Sequence, residues 1–295
     1  MAIFTGAGVA IVTPMKENGE VDFDKYGELI DFQIENGIDA IVSCGTTGES
    51  STLSHEEHLA VIRYAVERTA GRVPVVAGTG SNSTDEAIHL SKGAVKAGAD
   101  ALLLITPYYN KATQEGLYQH FRKTAEEVAE TPIILYNVPS RTGCNLAPET
   151  TMRLVDDVKN IVAIKAATGN LAQESKLMSM ARGRIDMYSG EDGLIVPLMS
   201  IGAIGVISVI ANVAPQKTHD ICEEFLAGNV KKARELQFDA MPLVDALFSE
   251  VNPIPVKHAL EMMGKCDATM RLPLTPMSAD GQVKLREAMK GYGLL

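Results

Sequence analysis

A short, nearly unbroken apolar run followed by an amphipathic segment recurs eight times along this chain, and few folds accept such a pattern. The runs are Gly8 to Thr13, Ala40 to Cys44, Val73 to Ala77, Ala101 to Ile105, Ile133 to Asn137, Ile161 to Lys165, Ile185 to Ser189 and Gly205 to Ile210. Continuous apolar runs, unlike alternating ones, suit strands covered on both faces in a parallel sheet. The segments between them carry helix signals. Ser54-His-Glu-Glu57 and Ser83-Thr-Asp-Glu86 both match the capping box, and Leu59, Ile62 and Val66 continue at helical spacing. Asn36-Gly-Ile-Asp39, Ala97-Gly-Ala-Asp100 and Ile201-Gly-Ala-Ile204 precede strands, each with a glycine suited to ending a helix. Eight βα units predict an α/β fold of the (β/α)8 TIM-barrel type.

A doubly wound nucleotide-binding sheet is the competing arrangement. Gly6-Ala-Gly8-Val-Ala-Ile11 and Gly78-Thr-Gly80-Ser-Asn-Ser83 leave the GxGxxG fingerprint incomplete, and no Walker loop is present. After about Gly228 the strand signal stops. Asn229 to Ser249, Ile254 to Met263 and Ala279 to Met289 read as helices, with proline-rich joints such as Asn252-Pro-Ile-Pro255. The expectation is a catalytic barrel over residues 1–228 and a packed three-helix extension over 229–295.

Composition narrows the function classes. A formal charge of -10 argues against nucleic acid or an anionic membrane as partner. The four cysteines (Cys44, Cys144, Cys222, Cys266) are scattered, suggesting neither a disulfide framework nor a zinc knuckle. The N-terminal residues lack the pattern of a signal peptide, and no apolar run approaches the roughly 20 residues of a membrane helix. A reduced, cytoplasmic protein is expected.

Barrel chemistry sits where strands end. The sixth run, Ile161-Val-Ala-Ile-Lys-Ala-Ala-Thr-Gly169, ends on Lys165, in a residue class depleted from strands and rarely buried alone. A buried lysine loses its proton more easily and becomes a nucleophile; a lysine that snorkels its head into water does not. Gly45-Thr-Thr-Gly-Glu49 after the second run can turn tightly and present Thr46, Thr47 and backbone amides to an anion. Thr106-Pro-Tyr-Tyr-Asn110 places two tyrosines after the fourth. Tyr136-Asn-Val-Pro-Ser-Arg-Thr-Gly143 supplies a phenol able to move protons and, at Arg141, a fork for a carboxylate. Glycines in Ser189-Gly-Glu-Asp-Gly193 let a ligand approach backbone. An amine, an anion cradle and a phenolic relay are the equipment for a Schiff base with a keto acid. Metal chemistry is poorly supported: His55-Glu-Glu-His58 falls one residue short of HExxH, and both histidines read as solvated residues in a first helical turn.

Taken in order, Gly45-Thr-Thr-Gly-Glu49, Pro107-Tyr-Tyr-Asn110, Tyr136 to Gly143 and Ile164-Lys165 give the chain a resemblance, over nearly its whole length, to the dihydrodipicolinate synthase family. These are pyruvate-dependent class I aldolases, grouped with N-acetylneuraminate lyase. The resemblance implies condensation of pyruvate with L-aspartate 4-semialdehyde, the first committed step of the diaminopimelate route to lysine, with no cofactor and no metal. It implies a Schiff base on Lys165, proton transfer at Tyr136, and a relay through Thr46 and a neighbouring subunit's copy of Tyr109. Thr47, with backbone at Gly190 and Ile207, would hold the pyruvate carboxylate, and Arg141 that of the aldehyde. It further implies a homotetramer built as a dimer of dimers. An L-lysine feedback site would comprise Ser50, Ser51, His55, His58, Asn82, Glu86 and Tyr108.

Arg141 favours this activity over its alternatives, N-acetylneuraminate lyase or a keto-deoxy-sugar-acid aldolase, whose substrates need polyol contacts there. A catalytically silent barrel that senses a keto acid is a third reading, opposed by the joint presence of Lys165, Tyr136, Thr46 and Tyr109. One departure stands out: many relatives follow the lysine with glutamate, where this chain has Ala166. Adjacent strand residues face opposite ways, so Ala166 is expected to alter packing between barrel and helices without touching the imine.

Overall fold

The computed structural model describes residues 2–295. Eight parallel strands close into a barrel: β1 (Gly6–Ala10), β2 (Ala40–Ser43), β3 (Val75–Gly78), β4 (Ala101–Ile105), β5 (Ile133–Asn137), β6 (Ile161–Ala166), β7 (Asp186–Ser189) and β8 (Gly205–Ser208). Closure comes from β8 pairing with β1, from Gly6 opposite Gly205 to Val9 opposite Ser208. β4 and β5 occupy the expected residues. β1 and β8 stop short of the expected Thr13 and Ile210, because the residues beyond leave the ladder for side-chain partners. The Asn212 side chain accepts from Val12 N (3.0 Å) and donates to Ala10 O (2.9 Å), while Ser208 Oγ accepts from Ala211 N (3.0 Å).

Both faces of each strand are buried. Ala40, Val42, Leu103, Ile134, Tyr136 and Ala163 point into the barrel; Ile41, Leu102, Leu104, Leu135, Ile164 and Ala166 point out to the helices. Burying a side chain of this size contributes about 1.5–3 kcal/mol, and two buried faces explain why the runs carry no polar alternation. Lys165 lies between two outward residues and therefore points in. Ala166, 1% exposed, packs in the barrel–helix layer as expected.

The helix boundaries follow local chemistry, with one difference. The Ser54 box is complete. At Ser83 the serine accepts from Glu86 N, but the Glu86 carboxylate turns to His55 Nε2 (3.1 Å) and Ser81 Oγ (2.8 Å), so the second box is only half made. Gly37, Gly98 and Gly202 all take positive φ before their strands. Among the described residues, no helix is long and apolar enough to cross a membrane.

Three helices follow the barrel: Val230–Leu247, Ile254–Met262 and Ala279–Gly291. A buried ion pair fastens them to the barrel mouth. Lys257, with no exposed surface, donates to Glu49 Oε1 (2.6 Å) and to Thr13 O (3.2 Å). The second Glu49 oxygen accepts from Arg271 N (3.2 Å). The Arg271 guanidinium forks onto Glu57 (2.5 and 2.9 Å) and holds that carboxyl down at about 2. Truncating one partner of a buried pair strands the other's charge, at a cost of roughly 3–5 kcal/mol. Lys257→Ala should lose about that much in urea unfolding. Glu49→Gln combined with Lys257→Met should lose less, since it removes both charges and keeps an acceptor for Arg271. Equal losses would place the stabilisation elsewhere.

Candidate active site

The C-terminal ends of the strands surround a cavity of about 400 Å³, roofed by Met241, Val244, Asp245, Phe248 and Asn252 of the extension. Lys165 stands in its wall beside Tyr136, its partner across the β5–β6 ladder, with Nζ 4.4 Å from the centre of the phenol ring. Both are nearly buried, at 6% and 7% exposure. Burial pushes the lysine ammonium down to about 8; the Arg141 charge acts the same way and the Asp192 carboxylate opposes it. The Tyr136 phenol is pushed up to about 12 by burial, against the pull of Arg141 and the Thr46 hydroxyl. One group is thereby ready to lose a proton and its neighbour holds one firmly.

The loop after β2 is bounded by two residues in the left-handed region, Cys44 (φ 55°) and Glu49 (φ 54°). Each conformation costs on the order of 1–2 kcal/mol, and Glu49 is held in it by Lys257 and Arg271. The loop presents Thr46 and Thr47 to the cavity. Thr47 Oγ1 accepts from Asn252 Nδ2 at 3.0 Å. Arg141, in the short turn Pro139–Thr142, is exposed at the mouth and reaches Asn252 O at 3.4 Å. Gly190 brings the exit of β7 against that of β6: its N–H donates to Ala166 O at 2.7 Å, and an added Cβ would meet the Ala167 Cβ at 2.8 Å.

Ile207 is buried in the inner layer, and it is Val209, just beyond the end of β8, that lines the cavity. Tyr109 stands apart from its own chain's cavity: 89% exposed, at φ 75°, a conformation strained for an aromatic residue.

A second cavity of about 420 Å³ is lined by Ser50, Ser51, His55, His58, Glu86 and Tyr108, and shares Thr46, Tyr136 and Arg141 with the first. Asn82 is outside that lining; its carbonyl accepts from Asn110 Nδ2 at 3.0 Å. The expectation of two solvated histidines is half wrong. His55 is exposed, whereas His58 is 4% exposed and donates from Nε2 to Gly78 O at 2.7 Å. Three residues along the helix the ring turns inward, and burial lowers its pKa. Among the described residues no cluster of three or more His, Cys, Asp or Glu side chains is placed to hold a metal.

Sequence reasoning overlooked three residues. Asp192, quoted only for its flanking glycines, is 3% exposed and accepts from Val209 N (3.0 Å) and Ile210 N (2.9 Å) with one oxygen, the other having no partner among the described residues. Asn252 reaches the site from a joint between helices. Lys257 left a readable signal, as the one fixed cation in the apolar run Ile254-Pro-Val-Lys-His-Ala-Leu260.

Residues 3–291 match the sequence profile of the dihydrodipicolinate synthetase family. The 4-hydroxy-tetrahydrodipicolinate synthase of Lachnoclostridium phytofermentans is 58% identical, with all of both chains covered. A solved structure of the chloride-inhibited dihydrodipicolinate synthase from Acinetobacter baumannii, complexed with pyruvate, is 48% identical, covers 99% of each chain and superposes with a TM-score of 0.96. The enzyme from Cyanidioschyzon merolae, solved with lysine bound, is 41% identical, covers all of both chains and gives a TM-score of 0.97. With a closed barrel, a buried strand-end lysine and this likeness along its whole length, the chain belongs to the dihydrodipicolinate synthetase family.

Proposed function

We propose that this protein condenses pyruvate with L-aspartate 4-semialdehyde through an imine on Lys165, forming 4-hydroxy-tetrahydrodipicolinate. The observation that carries the reading is the pairing of Lys165 with Tyr136 at one level of the barrel mouth, in a cavity that also holds Thr46, Thr47 and Arg141. A lysine near 8 offers neutral amine at physiological pH to attack the keto carbon. Loss of water leaves an iminium that draws electrons from the pyruvate methyl group, and the resulting enamine attacks the aldehyde carbon. Tyr136, whose phenol keeps its proton, gives and takes protons in these steps, with Thr46 at its side.

Thr47 and the backbone near Gly190 and Ile207 receive the pyruvate carboxylate. Arg141 receives the carboxylate of the second substrate, and a guanidinium at the mouth favours that substrate over a sugar-derived aldehyde. Tyr109, exposed and turned away from its own cavity, completes the relay of a neighbouring subunit, within a homotetramer of two dimers. The second cavity takes L-lysine: Glu86 meets the ammonium, and the walls shared with the catalytic cavity pass the effect on. The lysine-bound relative from Cyanidioschyzon merolae supports that assignment.

Three experiments test these roles. Borohydride reduction with pyruvate should leave a reduced adduct on Lys165, seen by mass spectrometry; an unmodified lysine would exclude the reading. Arg141→Ala should still trap pyruvate while kcat/KM for aspartate semialdehyde falls by roughly 10- to 150-fold, the worth of a hydrogen bond to a charged group. Loss of trapping in that variant would refute the role given to Arg141. For the second cavity, activity should fall as L-lysine rises through the millimolar range, and Glu86→Gln should blunt the response. A flat curve for the unmodified protein would remove the lysine site.

A further inference from the structure

Asn252 contributes two groups to the mouth of the barrel from a joint between the helices of the extension. It is 5% exposed and lines the catalytic cavity. Its side-chain amide donates to Thr47 Oγ1 at 3.0 Å, and its backbone carbonyl faces the Arg141 guanidinium at 3.4 Å. A threonine hydroxyl has one proton to give and two lone pairs to receive. Once Oγ1 accepts from Asn252, its own proton is left for another partner, and among the described residues Thr47 Oγ1 has no acceptor. The hydroxyl therefore presents a donor to the cavity, as an anion requires.

We propose that Asn252 is a positioning residue for carboxylate binding: its amide sets the Thr47 hydroxyl as a donor, and its carbonyl steadies Arg141. This rests on the reading of Thr47 and Arg141 as the two carboxylate partners. It gives the extension a direct part in substrate binding, beyond roofing the cavity. The reverse arrangement, an acceptor beside Thr47, would take the hydroxyl proton and turn lone pairs toward the substrate. Asn252→Asp imposes that arrangement at nearly unchanged volume.

The test is borohydride trapping on the full chain across a pyruvate titration, with the adduct on Lys165 quantified by mass spectrometry. The half-saturating pyruvate concentration should rise about fivefold in Asn252→Ala, the worth of one neutral hydrogen bond. It should rise further in Asn252→Asp, while saturating pyruvate still labels Lys165 fully in both. In a Thr47→Val background, Asn252→Ala should add less than twofold, because its effect passes through the missing hydroxyl. Unchanged half-saturation in the variants, or full additivity with Thr47→Val, would overturn the proposal while leaving the imine chemistry intact. Failure of the unmodified protein to trap pyruvate would overturn both. If Asn252→Ala does not fold, Asn252→Asp carries the test alone, and wild-type half-saturation there overturns the proposal.

Discussion

Removing an ammonium group from water governs how the rest of this molecule is arranged. Lys165 is held at 6% exposure at the end of β6, and the fall in its pKa from 10.5 to about 8 corresponds to roughly 3 kcal/mol against the charged form. The strand imposes this burial. With Ile164 and Ala166 committed to the barrel–helix layer, the residue between them has only the barrel interior to enter. The neighbouring strand ends then determine what the amine can do: Tyr136 packs its ring against Nζ, Asp192 limits the loss of charge, and Arg141 promotes it.

The strand ends do not complete the mouth by themselves. Helix Val230–Leu247 and the joint after it roof the cavity, and the Lys257–Glu49 pair fastens that roof to the loop carrying Thr46 and Thr47. The same carboxylate keeps Glu49 in a left-handed conformation, so the ion pair, the strained loop and the two threonines lining the cavity form one connected unit. Loops under such strain persist when their surroundings over-determine them, and binding sites draw on them for fixed geometry. The extension is thus part of the site, and the contact of Asn252 with Thr47 expresses this at the level of one hydrogen bond.

Much of this was legible in the residues because its causes are local. Period and apolarity locate β4 and β5 to the residue, and a lysine ending an apolar run marks Lys165. The ends of β1 and β8 escape local reading: Asn212, just past the neighbouring strand β8, takes the backbone at the end of β1, and Ser208 Oγ takes Ala211 N beyond β8. The burial of His58 escapes local reading because its helix turns that position toward Gly78, a contact that spacing within one helix does not reveal. Spacing assigns Glu86 to a cap that its carboxylate leaves for His55 and Ser81. Asn252 and Lys257 act on partners some 200 positions earlier, |i−j| 205 and 208, where no local pattern reaches.

The central claim is that burial gives Lys165 a substantial fraction of neutral amine near physiological pH, which a solvated lysine lacks. The direct measurement is the rate of Lys165 imine formation with pyruvate as a function of pH, followed by rapid quenching with borohydride. With the folded pKa lowered, the neutral amine falls about tenfold for each pH unit below about 8 and saturates above it. The rate at subsaturating pyruvate should therefore climb and level off near pH 8. A rate that keeps climbing past pH 10, as for a solvated lysine, would contradict the account.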